Sequence, residues 1–191
     1  EQIVPEYGPK YQDVDTAIEQ LRSGRVADSR ATLAAARQKN PELPPANMML
    51  TEILFRINQV QAGVAALEEA VKEDPADPGP YVYLGELALQ SRRWTESRLL
   101  YNKALELSTN YTVNDKRKNR LLLNTYGGLA TLAEAEEKWA DSKQLLESLL
   151  KIEPENSLGL TRYGRVLFKM AKTRDEENEA YKVFQRLHKA N

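Results

Sequence analysis

The chain has 191 residues, of which 29% are charged and 7% aromatic, with 27 basic against 28 acidic side chains and a formal net charge of −1. That balance gives no bulk attraction to nucleic acid or anionic lipid, so nucleic acid is not expected as a partner. There is no cysteine, which removes disulfides, thiolate nucleophiles and thiolate zinc sites from consideration. No apolar run approaches the roughly 20 residues that cross a bilayer, so membrane insertion is not expected either. The abundance of Leu, Ala and Glu suits amphipathic helices. The first residue is Glu1 rather than Met. A soluble protein is expected, cytoplasmic or exported (periplasmic) after removal of a leader.

The first ten residues, EQIVPEYGPK, carry two prolines and one glycine and predict an extended N-terminal arm over 1–9. Helices follow, and proline marks their ends. Pro41, Pro75 and Pro154 each stand after a polar residue (Asn40, Asp74, Glu153) that closes a run rich in Ala and Leu. Proline cannot continue a helix, so each sits just past an end. Counting from these marks divides 10–191 into units at about 10–43, 44–77, 78–111, 123–156 and 157–191. Within them a small residue, Ser29, Gly63, Ser97 or Ser142, is followed four positions later by Leu33, Leu67, Tyr101 or Leu146. Ala36, Ala70, Ala104 and Leu149 come next. Small residues let neighbouring helices approach and bulky ones fill the adjacent holes. Trp94 and Trp139 share one slot, as do Tyr81 and Tyr126, and both tryptophans are expected to plug the junction between paired helices. The stretch Tyr111–Leu122 interrupts the period; it is read as a longer turn plus an extension of the following helix. The fifth unit keeps Gly164 but needs four extra residues before Ala180 and Phe184.

The segment Asp77–Asn110 holds Tyr81, Leu84-Gly85, Ala88, Trp94, Ser97, Tyr101 and Ala104. It resembles one tetratricopeptide repeat (TPR), and Pro41 and Pro75 are separated by the 34-residue period of that family. The resemblance extends over nearly all of the chain. Unit four is a good match with Ala130 in place of the usual glycine; units one, two and five are degenerate. The resemblance implies an all-α solenoid of about five TPR helix-turn-helix repeats forming a right-handed superhelix, and a scaffold without catalytic activity.

The residues themselves offer no chemistry. One histidine, His188, and no cysteine leave little for a metal site or a nucleophile–base pair. No cofactor, metal site or catalytic residue is expected. The acidic runs Glu68-Glu69, Glu136-Glu137 and Asp175-Glu176-Glu177 read as solvated surface, because adjacent helical residues do not face one another. The cluster Lys116-Arg117-Lys118 with Arg120 reads as a solvated helix face. Gly127-Gly128 lies inside a helix with no preceding strand, which excludes a phosphate loop; close packing is the preferred reading, a deepened inner surface the alternative.

In TPR proteins the first helix of each repeat lines the concave face, and its inward residues are free to bind. The resemblance places Tyr11, Val14 and Ile18 there in repeat one, and Met48, Met49, Glu52 and Phe55 in repeat two. Val82, Tyr83, Glu86 and Leu89 follow in repeat three, and Arg162, Arg165 and Lys169 in repeat five. The Lys and Asn clamp that grips chaperone tails in one TPR subclass is missing: Val14, Ile18 and Met49 occupy its slots. An apolar groove that turns basic toward the C-terminal end predicts a protein or peptide ligand with apolar anchors, acidic at one end. One alternative is a self-assembly module of a larger TPR-containing protein, in which the groove receives another copy. Another is an RNA-binding helical repeat, which the apolar face and the net charge oppose.

Overall fold

The computed structural model describes residues 11–190, the side chains of 188–190 excepted. The arm expected over 1–9 and the side chain of His188 lie outside the described residues. Within them the chain forms ten helices and no strand: α1 (Gln12–Arg22), α2 (Val26–Lys39), α3 (Ala46–Arg56), α4 (Val60–Glu73), α5 (Pro78–Gln90), α6 (Trp94–Asn110), α7 (Asp115–Ala135), α8 (Trp139–Ile152), α9 (Ser157–Met170) and α10 (Arg174–Ala190). Successive helices pair as α1–α2, α3–α4, α5–α6, α7–α8 and α9–α10, and each hairpin packs on the next. The result is an all-α repeat solenoid.

The first four hairpins turn in one way. Gly24, Asn58, Arg92 and Glu137 have φ of 76°, 61°, 58° and 56°. Each is the middle residue of a three-residue link, where a left-handed step reverses the chain. Only Gly24 adopts it without a side-chain penalty. The core is built as the spacing predicts. Ser29, Ser97 and Ser142 are fully buried, as are Leu33, Leu67 and Leu146. Ser29 and Ser97 donate their hydroxyls to the carbonyls of Ala17 and Gly85, both at 2.8 Å, so a small polar residue closes the hairpin while satisfying its own hydrogen bond. Ser142 instead donates to Glu134 at 3.1 Å.

Three helices are capped by their own sequence: Asp77, Asn114 and Asn156 accept from Gly79, Arg117 and Gly159 at their N-termini. Helix α3 has no such residue. The carboxylate of Glu73 caps it from α4, accepting from the backbone amides of Ala46 and Asn47 at 2.9 Å each, which satisfies two of the orphan donors every helix start presents.

The tryptophans differ from expectation. Trp139 is half-buried beside Ala130, Leu146 and Val166, and Lys169 lies 6.0 Å from its ring centroid. Trp94, in the same slot, is 42% exposed. It is the first residue of α6.

Helix α10 follows a different link, 171–173, in which Ala171 is extended and no residue is left-handed. The extra residues before Ala180 form an added first turn of α10, about one turn for four residues. Glu176 caps that turn by accepting from the amides of Lys172 and Thr173; these bonds hold its carboxyl below the usual range.

Tyr163 on α9 donates to Glu147 on α8 at 2.9 Å. Burial first, then this bond, push its phenol from 10.0 up to about 12. The folded chain therefore favours the neutral phenol, and its contribution is intact below pH 10 and is lost as pH rises toward 12. Unfolding free energies across that window are expected to fall more steeply in the natural chain than in Tyr163→Phe, as denaturant titrations at alkaline pH would show.

Candidate functional site

The inner face is built by α3, α5, α7 and α9, and two cavities lie along it. One, of about 310 Å³, is lined by Phe55, Val60, Tyr83, Glu86, Leu87 and Gln90. The second, also about 310 Å³, is lined by Glu86 and Leu89 from α5, by Asn124, Gly127 and Thr131 from α7, and by Leu158 and Arg162 from α9 among others. Glu86 lines both, so the two adjoin along this face with an exposed carboxylate between them, and together they are called the groove. The rings of Phe55 and Tyr83 stack across α3 and α5, with centroids 5.9 Å apart and planes at 24°.

Arg162 closes the C-terminal wall. Its guanidinium donates to Glu134 (Nε, 3.0 Å), to the carbonyl of Gly127 (3.1 Å) and to Thr131 (3.0 Å). These bonds tie α9 to α7 and commit the charge inside the protein, so Arg162 shapes the groove more than it offers a free cation. Gly127 and Gly128 divide the two readings of their pair. A Cβ on Gly128 would lie 2.2 Å from Cζ of Tyr101, whereas one on Gly127 would meet only Leu149, at 3.9 Å. Gly128 is a packing glycine; Gly127 is part of the floor.

Of the residues predicted to line a groove, the structure brings Phe55, Tyr83, Glu86, Leu89 and Arg162 together. Val14, Ile18, Met48, Met49 and Val82 are core residues instead, between 0% and 8% exposed. For Met48 and Met49 the reason lies in the sequence of α3, ANMMLTEILFR, which is apolar around most of its circumference; a helix of that kind is buried on several sides. Val14 and Ile18 share a core cluster with Met49, Leu50 and Ile53, and Val82 one with Tyr101, Leu121 and Leu129. Tyr11 is half-buried and donates to Glu42 at 2.7 Å. Arg165 and Lys169 are exposed and lie outside the groove.

Glu52, only 2% exposed, is covered by Arg120, whose Nη2 lies 2.8 Å from its carboxylate. Here the reading of the basic cluster as a solvated face fails. Arg117 is 1% exposed and forms a bidentate pair with Asp77, both bonds at 2.8 Å. Its guanidinium carbon also lies 5.3 Å from the ring centroid of Tyr111. Lys118 donates to the carbonyl of Thr109 at 2.9 Å. The first turns of α7 are thus clamped onto α3 and α5. Leu158, 69% exposed at the groove mouth, was not among the predicted residues; it stands in the first turn of α9, before the slots from which inward residues were read, and only its apolar character among polar neighbours marks it.

Among the described residues no group of three or more His, Asp or Glu side chains is placed to hold a metal ion. No described helix is long and apolar enough to cross a membrane.

Fold and cavities together define a helical-repeat protein. The tetratricopeptide repeat model matches residues 14–78 and 53–112, and the chain belongs to the tetratricopeptide repeat family. Similar solved structures include MamA (14% identity, covering 91% of this chain and 92% of that one, TM-score 0.60). PilF of Pseudomonas aeruginosa is similar at 14% identity, covering 92% and 75%, with TM-score 0.60. YrrB, described as a TPR protein with an unusual peptide-binding site, is similar at 16% identity, covering 82% and 73%, with TM-score 0.59. These likenesses are of fold. No curated protein sequence matches the chain.

Proposed function

We propose that this protein is a protein-interaction scaffold that holds a peptide segment of a partner in the groove between α3, α5, α7 and α9. The observation that carries the reading is the pair of adjoining cavities that share Glu86. Apolar anchors of the segment pack against Phe55 and Tyr83 at one end and Leu89 and Leu158 at the other, as aromatic and aliphatic anchors do at interfaces. Glu86 and Asn124, both exposed, supply the polar contacts that set register. Past Arg162 the exposed Arg165 and Lys169 favour an acidic end. YrrB binds peptide by its description, which makes the same use of this fold reasonable here.

Affinity capture from the source cell tests this. Proteins retained by the natural chain are expected to be lost with Phe55→Ala plus Tyr83→Ala, and weakened with the surface change Glu86→Arg, which leaves the core untouched. Retention of the same partners by both variants would refute groove binding.

A further inference from the structure

We propose a second docking site, on the open face of the last hairpin, which takes an amphipathic α-helix of a partner protein. That helix carries a glycine over Phe184 and a carboxylate beside Arg165. The site goes beyond the groove and does not depend on it.

The repeat itself supplies the template. In the third hairpin Tyr101 sits between two glycines. A Cβ on Gly85 would be 3.0 Å from its ring, and one on Gly128 of α7 would be 2.2 Å from it. Gly85 belongs to the same hairpin; Gly128 belongs to the helix stacked on top. In the last hairpin Gly164 holds the place of Gly85, and a Cβ there would lie 2.8 Å from Phe184. Phe184 therefore takes the role of Tyr101, four residues later because of the added turn of α10. Half of the glycine–aromatic–glycine sandwich is present, and the half that α7 provides in the third hairpin has no counterpart among the described residues. Tyr101 is 3% exposed, Phe184 37%. Counting from the glycines, Leu89 corresponds to Phe168, and Phe168 is 52% exposed, with Tyr181 beside it at 61%. Phe168, Tyr181 and Phe184 line a cavity of about 510 Å³ with Thr161 and Arg165. Grouped exposed apolar side chains of this kind mark interaction surfaces.

Charge selects the occupant. Arg165 stands in the slot of Glu86, is exposed and forms no ion pair with a described residue. In the template, Asn124 of α7 lines the same cavity as Glu86. A helix seated like α7 thus brings its residue at the Asn124 position toward Arg165, and a carboxylate there completes the pair. The outward residues of α1, Gln12, Asp15, Thr16 and Glu19, are polar and exposed. They argue against a second copy as the occupant. Ala17 and Ala130 each stand twelve residues before the hairpin serine, so Asp15 corresponds to Gly128. Head-to-tail stacking would press the Asp15 carboxylate onto the ring of Phe184, burying a charge without a partner.

The probe is a synthetic peptide of residues 115–135, the helix that fills the equivalent face, carrying Asn124→Glu. Fluorescence anisotropy with the full chain is expected to show saturable binding. Arg165→Glu should weaken it about fivefold or more, a reversed charge contact at a partly exposed site, and the Asn124→Lys peptide should restore binding to that variant. Tyr181→Lys, at an exposed position, should weaken it as well, while Phe55→Ala in the groove should not. Three results each overturn the proposal. One is absence of binding. Another is binding indifferent to Arg165 and Tyr181. The third is a concentration-dependent dimer in sedimentation that Tyr181→Lys disperses, which assigns the face to a second copy.

Discussion

Arg117→Ala is expected to destabilise the protein by about 3–5 kcal/mol, the range found when one member of a buried ion pair is removed. The cost falls on Asp77. Its side chain is 4% exposed and that of Arg117 1%, so the carboxylate left behind has little access to water. It would still accept from the amide of Gly79 at 2.7 Å, which places the effect toward the lower end of the range. For a chain of this size each kcal/mol corresponds to about 2–4 °C in melting temperature, so calorimetry should register a drop of roughly 10 °C. The double variant Asp77→Asn, Arg117→Leu removes both charges while keeping an N-cap acceptor for α5. It is expected to lose much less, because no unpaired charge remains. The double-mutant cycle should therefore return a coupling of at least about 2 kcal/mol. An Arg117→Ala chain within 1 kcal/mol of the natural one, on the scale of an exposed pair, would show that the pair is solvated. Amide exchange should rise at the start of α7 first, because this pair anchors its opening turns.

That clamp also marks where sequence reasoning stops. The repeat core was legible because steric demand is local: a small residue, then a bulky one four later, forces the same packing in every hairpin. Ser29, Leu33, Ser97, Tyr101, Ser142 and Leu146 are buried accordingly. The one-turn insertion in α10 was legible for the same reason, since four extra residues restore the helical phase. The basic cluster was not, because its partners Asp77 and Glu52 stand 40 and 68 residues away from Arg117 and Arg120. Counting charges along a segment cannot find a carboxylate on another helix. The groove was half legible for a related reason. The slot in the repeat says which side of a helix faces inward, and Phe55, Tyr83, Glu86 and Leu89, picked by that slot, line cavities. It does not say what covers that side. Met48 and Met49 occupy inward slots and are fully buried, a consequence of the apolar girth of α3 that the slot alone does not carry.

The adjacent glycines of α7 should respond in opposite directions to the same substitution. Gly127→Ala adds a methyl whose nearest neighbour beyond its own helix turn is Leu149, 3.9 Å away. Alanine is favoured over glycine in a helix interior, so a gain of about 0.5–1 kcal/mol is expected. Gly128→Ala receives the same helix gain but puts its Cβ 2.2 Å from the ring of Tyr101. The ring has little room to withdraw, because it also lies close over Gly85, where a Cβ would itself be 3.0 Å from it. Overpacking of a fixed core typically costs about 1–3 kcal/mol, which outweighs the gain and leaves the variant less stable. Gly128→Leu should be worse, since no rotamer clears a ring held on both sides. Tyr101→Leu removes the obstructing ring edge; in the Gly128→Ala background it should cost less than it does alone, a coupling that urea denaturation of the four chains would measure. If Gly128→Ala is as stable as Gly127→Ala, the sandwich is not rigid and the template for the end face loses its basis. Gly127 poses the complementary question. Alanine there is the more stable choice, yet its methyl rises from the floor of the groove between Asn124 and Thr131. A scaffold selected only for stability would have no use for that glycine. A Gly127→Ala chain that melts higher but holds its partner more weakly would place the glycine among sites where stability is given up for binding.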